Sequence, residues 1–317
     1  MRRIPILLPL ALALLPSFSA AQEEEWIQDW AKAQEIAKAQ HKHLLIDFTG
    51  SDWCIWCKRL DEEVFSTKAF LAEAPKNFVF VKLDFPRNQS LVTDDIRAQN
   101  QQLQMEFGVQ GYPTIFLAGE DGRPYAKTGY QEGGPEKYLA HLAELRAKKT
   151  AFDAALQKAD SASGAERARA LDAALSVIEV DLALQHYTEI LDEIQALDSD
   201  GKLGLKANWA AKRAEHDAAQ QIESLQQEFG MLGQSGKWGD VEKRCDEIVA
   251  EKKAKVLVQF ATIYKAIAVF EGRGDLKAAF DLLEKAKAVD PDSAMAGNCD
   301  RIGQQMKRRA EKNDKKG

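Results

Sequence analysis

The chain has 317 residues, of which 45% are hydrophobic and 29% charged, with a formal net charge of −6. That length supports one or two cores of ordinary globular composition. The acidic balance argues against the class of proteins that bind nucleic acid through a strongly basic face.

The first residues read as a targeting segment. Arg2 and Arg3 form a positive stretch, Ile4 to Leu15 is apolar, and Ser19-Ala20-Ala21 supplies small residues for cleavage. This predicts a signal peptide over residues 1–21 and a mature chain starting near Gln22. The apolar run is interrupted by Pro5, Pro9 and Pro16 and falls short of the roughly 20 residues a spanning helix needs. No later segment of the sequence is long and apolar enough to span a bilayer. The expectation is an exported, soluble protein of the periplasm or another extracytoplasmic space, with an uncleaved N-terminal anchor as the alternative.

Trp26, Trp30, Ala33 and Ala37 recur at helical spacing, which predicts an amphipathic helix over residues 23–40. Leu44-Leu45-Ile46-Asp47-Phe48 reads as a buried parallel strand. A helix starts around Cys54 and Cys57 and runs through Leu60 and Val64. Phe78 to Leu83 is a second buried strand, Asp94 to Phe107 is helical, and Gly108 ends that helix. Thr114 to Leu117 is a third strand, and Asp121-Gly122 turns the chain into a fourth strand through Lys127. Pro135 opens a helix that continues through Leu145. This order predicts an α/β domain over residues 22–147, a sheet layered with helices.

From residue 148 to 317 the composition is rich in Ala, Leu, Glu, Lys and Gln and the periodicity is helical. Breaks at 161–164, 199–204, 233–236, 272–274 and 290–293 predict about six or seven helices, with a further turn near Glu179–Asp181. Gly274-Asp275-Leu276, Ala279, Ala286 and Asp290-Pro291 resemble the second half of a tetratricopeptide repeat, with a fainter echo from Gly236 to Ile248. Ile267 stands where that repeat has a small residue, and a generic helical bundle is the competing reading. Lys307, Arg308, Arg309, Lys312, Lys315 and Lys316 form a basic tail, read as a solvated terminal helix.

The four cysteines, Cys54, Cys57, Cys245 and Cys299, are too few for a disulfide-stapled scaffold. Two cysteines separated by two residues close a small disulfide ring across the first turn of a helix. There the free amide hydrogens and the dipole favour a thiolate at Cys54, the form that attacks a disulfide. Cys57, one turn further in, is placed to resolve the mixed disulfide. Cys54 is therefore expected to be the exposed thiol and Cys57 the shielded one. A zinc half-site would need further ligands; no second Cys-x-x-Cys exists and only His41 and His43 lie nearby, so no metal is expected. A purely structural disulfide is the other reading. Cys245 falls among Val241, Ile248 and Val249, and Cys299 early in the last helix; a disulfide between them is left open.

The surrounding residues resemble the thioredoxin superfamily from about Trp26 to Arg146. The matching pieces are Ile46-Asp47-Phe48, Trp53-Cys54-x-x-Cys57-Lys58, Lys82-Leu83-Asp84, Phe107 to Thr114, Gly122 and Gly129. Exported thioredoxin-like proteins with Glu-Val-Phe after the cysteines, here Glu63-Val64-Phe65, are the most similar branch. The resemblance implies a redox disulfide Cys54–Cys57, a cis proline at Pro113 and a substrate groove at Trp53, Tyr112 and Pro113. It also implies a buried proton-managing carboxylate at Asp47, with Lys82 beside it. The chain departs from thioredoxin in four places. The stretch from Asp47 to Cys54 is one residue longer, Ile55-Trp56 separates the cysteines, Tyr112 replaces the usual aliphatic residue, and an insertion lies between Phe85 and Gln102.

The expected function is an exported thiol–disulfide oxidoreductase, a reductase or isomerase more than an oxidase, because Ile55-Trp56 brings no positive charge to the cysteines. It calls for no cofactor. Its expected partners are protein disulfides, a membrane electron donor, and a protein partner or second copy met by the helical domain. The alternative is a redox-regulated binding module whose helical domain recruits the partner.

Overall fold

The computed structural model describes residues 26–251 and 254–314; the expected signal peptide lies outside them. The chain divides into two compact units, the first ending at Lys149 and the second beginning at Thr150.

The first unit is built on a four-stranded mixed sheet in the order β2-β1-β3-β4. β1 (His43–Thr49) lies parallel to β2 (Phe78–Asp84) and antiparallel to β3 (Thr114–Ala118), which pairs antiparallel with β4 (Pro124–Thr128). Leu44, Leu45, Ile46 and Phe48 are all buried, so β1 is covered on both faces, as its unbroken apolar run requires. Phe48 meets Phe107 and Phe116 at ring-centroid distances of 5.5 and 5.7 Å. Each such buried ring contributes about 1.5–3 kcal/mol. The helices of this unit are α1 (Trp30–Gln40), α2 (Ile55–Leu60), α3 (Lys68–Glu73), α4 (Asp94–Glu106) and the first part of α5 (Gly134–Asp160), whose residues from Thr150 on belong to the second unit. α1 packs on β1 and β2, and α4 on β2.

Two local expectations change. α1 begins at Trp30, where Asp29 caps it by accepting from the Lys32 N–H, and not at residue 23. The preceding Ile27 pairs instead with the free edge of β2 at Val81, and Trp26 packs on Phe65 and Phe80. Past Leu60, α2 widens into one π-helical segment, Asp61–Phe65, which turns Val64 and Phe65 into the core. α5 runs through Leu145 as expected and continues to Asp160, where the break expected at 161–164 ends it.

The second unit is all helix: α6 (Gly164–Leu175), α7 (Val180–His186), α8 (Thr188–Leu197), α9 (Leu205–Gln234), α10 (Trp238–Ala250), α11 (Lys255–Arg273), α12 (Leu276–Val289) and α13 (Ala294–Asp314). From residue 148 on, the described residues hold the end of α5 and eight further helices, against the six or seven expected, because breaks without a glycine or proline, at Tyr187 for example, leave little trace in composition. Gly274, at φ +69°, closes α11 in the left-handed conformation, and Asp275 caps α12 by accepting from the Ala278 N–H. The buried Gln259 amide donates to the Ala286 and Asp290 carbonyls, tying α11 to the end of α12. Cys245 and Cys299 are free, buried and in separate hydrophobic clusters, so they do not form the disulfide that the sequence leaves open. Among the described residues, no helix is long and apolar enough to cross a membrane.

Candidate functional site

Four segments of the first unit converge around Cys54 and Cys57: the end of β1, the start of α2, the loop after β2 and the facing ends of β3 and β4. The loop leaving β1 turns tightly at Gly50, whose carbonyl accepts from the Trp53 and Cys54 N–H groups. A Cβ at Gly50 would lie 2.6 Å from the Trp53 indole, so only glycine fits beneath that ring. Ser51 donates to the buried Asp84 carboxylate through both its N–H, at 2.9 Å, and its hydroxyl, at 2.5 Å. Asp52 accepts from the Arg87 and Asn88 N–H groups at 2.9 and 2.8 Å, which hold its carboxyl below the usual range. The insertion after Phe85 is thereby fastened to the segment that leads into the cysteines.

Cys54 is the N-cap of α2 and is joined to Cys57 in a disulfide, with the two Cα atoms 5.2 Å apart. Its Sγ accepts from the Cys57 N–H at 3.1 Å. The helix start thus directs an amide hydrogen at this sulfur, and a thiolate there would be stabilised by that donor and by the positive end of the helix. Exposure does not distinguish the two sulfurs as expected. Cys54 and Cys57 are each 5% exposed, because the disulfide folds both under the turn. What separates them is position on the helix: only Cys54 lies at its open end.

Trp53 donates its indole N–H to the Phe85 carbonyl at 2.8 Å. Tyr112 meets Trp53 edge-on at 5.7 Å, and its hydroxyl accepts from the Gln104 side chain at 2.7 Å. The Tyr112–Pro113 peptide is cis. Gly129, where β4 ends, sits against the Pro113 carbonyl, which a Cβ would approach to 3.2 Å. Trp53 and Tyr112, with Pro113 next to it in the chain, therefore meet at the segment that leads into Cys54.

Asp47 lies on β1, 7% exposed, opposite Lys82 on β2, and its Oδ1 has no hydrogen-bond partner. Burial raises its carboxyl to about 7; the Lys82 ammonium opposes this, and the charges of Asp61 and Asp84 add to it. The Tyr138 hydroxyl is pushed far up by its own burial and by the Asp47 charge. A buried carboxyl that changes protonation near neutrality, with a lone pair free, can accept and return a proton. Among the described residues, no group of three or more His, Cys, Asp or Glu side chains could hold a metal ion.

Sequence reasoning did not find Tyr130, Arg59, Asp84 or Gln104. Tyr130 had a usable signal, since it follows Gly129 just past a strand whose partner is immediately preceded by Pro113. Asp84 belongs to the Lys82-Leu83-Asp84 piece of the resemblance, which implies no role for it; Arg59 and Gln104 read as ordinary helix residues, and only the fold shows what all three touch.

Residues 30–146 match the thioredoxin-like domain family. Disulfide bond reductase DsbH of Chlamydia pneumoniae is 31% identical over 123 residues, which is 39% of this chain and 73% of that protein. Thioredoxin-related protein DsbJ of Chlamydia pneumoniae is 27% identical over 135 residues, 41% of this chain and 38% of that protein. A solved structure described as DsbH oxidoreductase is 28% identical, covering 43% of this chain and 93% of its own, with a TM-score of 0.37. With its Cys54–Cys57 disulfide on a thioredoxin-type sheet, the chain belongs to the thioredoxin-like family of thiol–disulfide oxidoreductases.

Proposed function

We propose that the chain is an exported disulfide reductase or isomerase acting on protein disulfides. The single observation that carries this reading is Cys54 at the open end of α2, its sulfur accepting the Cys57 N–H. In the reduced protein the Cys54 thiolate attacks one sulfur of a substrate disulfide. A mixed disulfide forms and the other substrate sulfur leaves as thiolate. Cys57 then attacks the Cys54 sulfur, which breaks the mixed disulfide and frees the second substrate thiol. Cys54 and Cys57 have given up two electrons and end as the disulfide. Asp47 accepts the Cys57 proton, and the neighbouring Lys82 charge keeps Asp47 able to ionise. Trp53, Tyr112 and Pro113 line the groove, with the Tyr112 backbone offered to an extended substrate strand.

The reducing direction is supported by the name of the reductase to which the chain is similar and by the uncharged Ile55-Trp56 between the cysteines. A reductase outside the cytoplasm needs its disulfide opened by a dithiol supplied across the membrane, so a membrane electron donor is part of the proposal. So are a signal peptide over residues 1–21, a redox domain over 22–147 and a helical, repeat-like domain over 148–317 that engages a partner protein or a second copy. In the helical unit, an open groove of about 490 Å³ lined by Phe229, Trp238, Tyr264 and Ile267 supports that last assignment. The mature protein with dithiothreitol should accelerate insulin reduction. No acceleration over dithiothreitol alone would contradict the proposal.

A further inference from the structure

Each tryptophan of the Trp53-Cys54-Ile55-Trp56-Cys57 run has a tyrosine partner from the adjoining strand ends. Trp53 pairs with Tyr112, just ahead of β3, and Trp56 with Tyr130, just past β4, at a centroid distance of 5.3 Å. The first pair is fastened inward by the Phe85 carbonyl and Gln104. The second pair faces solvent. Trp56 is 51% exposed and Ile55 76%, an unusual amount of apolar surface beside a buried disulfide.

That exposed pair is held in place. The Arg59 guanidinium lies over both rings, 5.5 Å from Trp56 and 5.4 Å from Tyr130. Glu63 accepts from Arg59 at 2.6 Å and from the Tyr130 hydroxyl at 2.6 Å, which closes a ring of four side chains. A solvent-exposed tryptophan loses rotamer freedom in such an arrangement. No core is gained in exchange, because the indole stays half exposed. What the ring of contacts achieves is a flat apolar surface kept ready next to the reacting sulfurs. The outer turn carries Asp61, Glu62 and Glu63, so an acidic substrate segment would meet like charge there.

We propose that the Trp56–Tyr130 pair is a specificity wall that selects substrate cysteines flanked by large apolar side chains, with Glu63 and Arg59 as its positioning residues. This rests on the exchange reading above and adds to it which disulfides are taken. Such flanks are buried in folded proteins, so the wall favours segments exposed by unfolding.

The test uses the full reduced chain and three synthetic peptides. Each carries one cysteine in a disulfide with a chromophoric thiol, flanked on both sides by Phe, Ala or Glu. Stopped-flow rates are divided by the rate of the same peptide with dithiothreitol, which removes intrinsic reactivity. Comparing peptides within one variant also removes any change of redox potential. The Phe peptide should react about threefold to tenfold faster than the Ala peptide, with the Glu peptide slowest. Trp56→Ala should bring the Phe-to-Ala ratio near one. Glu63→Ala should lower it and Glu63→Gln, which still accepts from Tyr130, should restore it. A ratio near one in the parent, or an unchanged ratio in Trp56→Ala, would overturn the wall while leaving exchange intact. Rates no faster than dithiothreitol for all three peptides would overturn the exchange reading and the wall together.

Discussion

The two units bury the same kinds of chemical group in opposite ways. In the redox unit Asp47 is buried with an oxygen left without a partner, and its carboxyl is raised to about 7. In the helical unit Asp198 is fully buried, yet it accepts from the N–H groups of Lys206 and Leu203, each at 2.9 Å, and is held below the usual range. Cys54 caps a helix and receives an amide hydrogen, whereas Cys245 is enclosed by Val241, Ile248 and Phe260 and its thiol is pushed up to about 12. Burial alone therefore says little. A buried group left poised marks chemistry, and a buried group fully supplied with donors or apolar neighbours marks architecture.

The contrast between the cysteines should give the largest effect. In the reduced protein, alkylation at mildly acidic pH is expected to modify Cys54 at least about a thousandfold faster than Cys245 or Cys299, since only the thiolate reacts. Peptide mapping by mass spectrometry reads this directly. Comparable labelling of Cys245 in the folded protein would erase the distinction between the units.

Asp47→Asn comes next. The folded carboxyl is raised, so the native state holds an extra proton between about pH 4 and 7. Parent stability therefore falls as pH climbs through that window and stays lower above it. Asparagine has no such proton to lose. The variant should match the parent near pH 4 and exceed it above pH 7, by up to about 4 kcal/mol in denaturant unfolding. It should also resolve mixed disulfides about tenfold to a hundredfold more slowly. An unfolding difference that does not depend on pH would show that Asp47 is not poised.

The smallest effect is expected at Asp198→Ala, which leaves the Leu203 and Lys206 N–H groups without their acceptor. It should lower the stability of the helical unit by about 1–3 kcal/mol and leave insulin reduction unchanged. Loss of reduction in a folded variant would give the helices a part in the chemistry.

Much of this arrangement is legible in the sequence where one physical cause dominates. The run Leu44–Phe48 has to be a doubly covered strand, and Cys54 and Cys57 at the following helix start can form a small disulfide ring. Tyr112-Pro113 stands out only through the family resemblance. The rest depends on contacts between distant residues. Ile27 could continue a helix or pair with Val81, and only the free edge of β2 decides it. The π-helical turn at Asp61–Phe65 answers to where Phe65 must pack, against Trp26, Phe70 and Tyr138. The ring of Trp56, Arg59, Glu63 and Tyr130 joins a helix to a strand end more than sixty residues away. Equal burial of Cys54 and Cys57 follows from the closed disulfide, which no spacing rule describes.

The division of labour between the two sulfurs is the central claim, and trapping tests it most directly. The reduced Cys57→Ser protein, mixed with a disulfide-bonded protein substrate, should accumulate a covalent complex that mass spectrometry places on Cys54. The Cys54→Ser protein should accumulate none. A complex that forms through Cys57 in the Cys54→Ser protein and is absent from the Cys57→Ser protein would contradict the account.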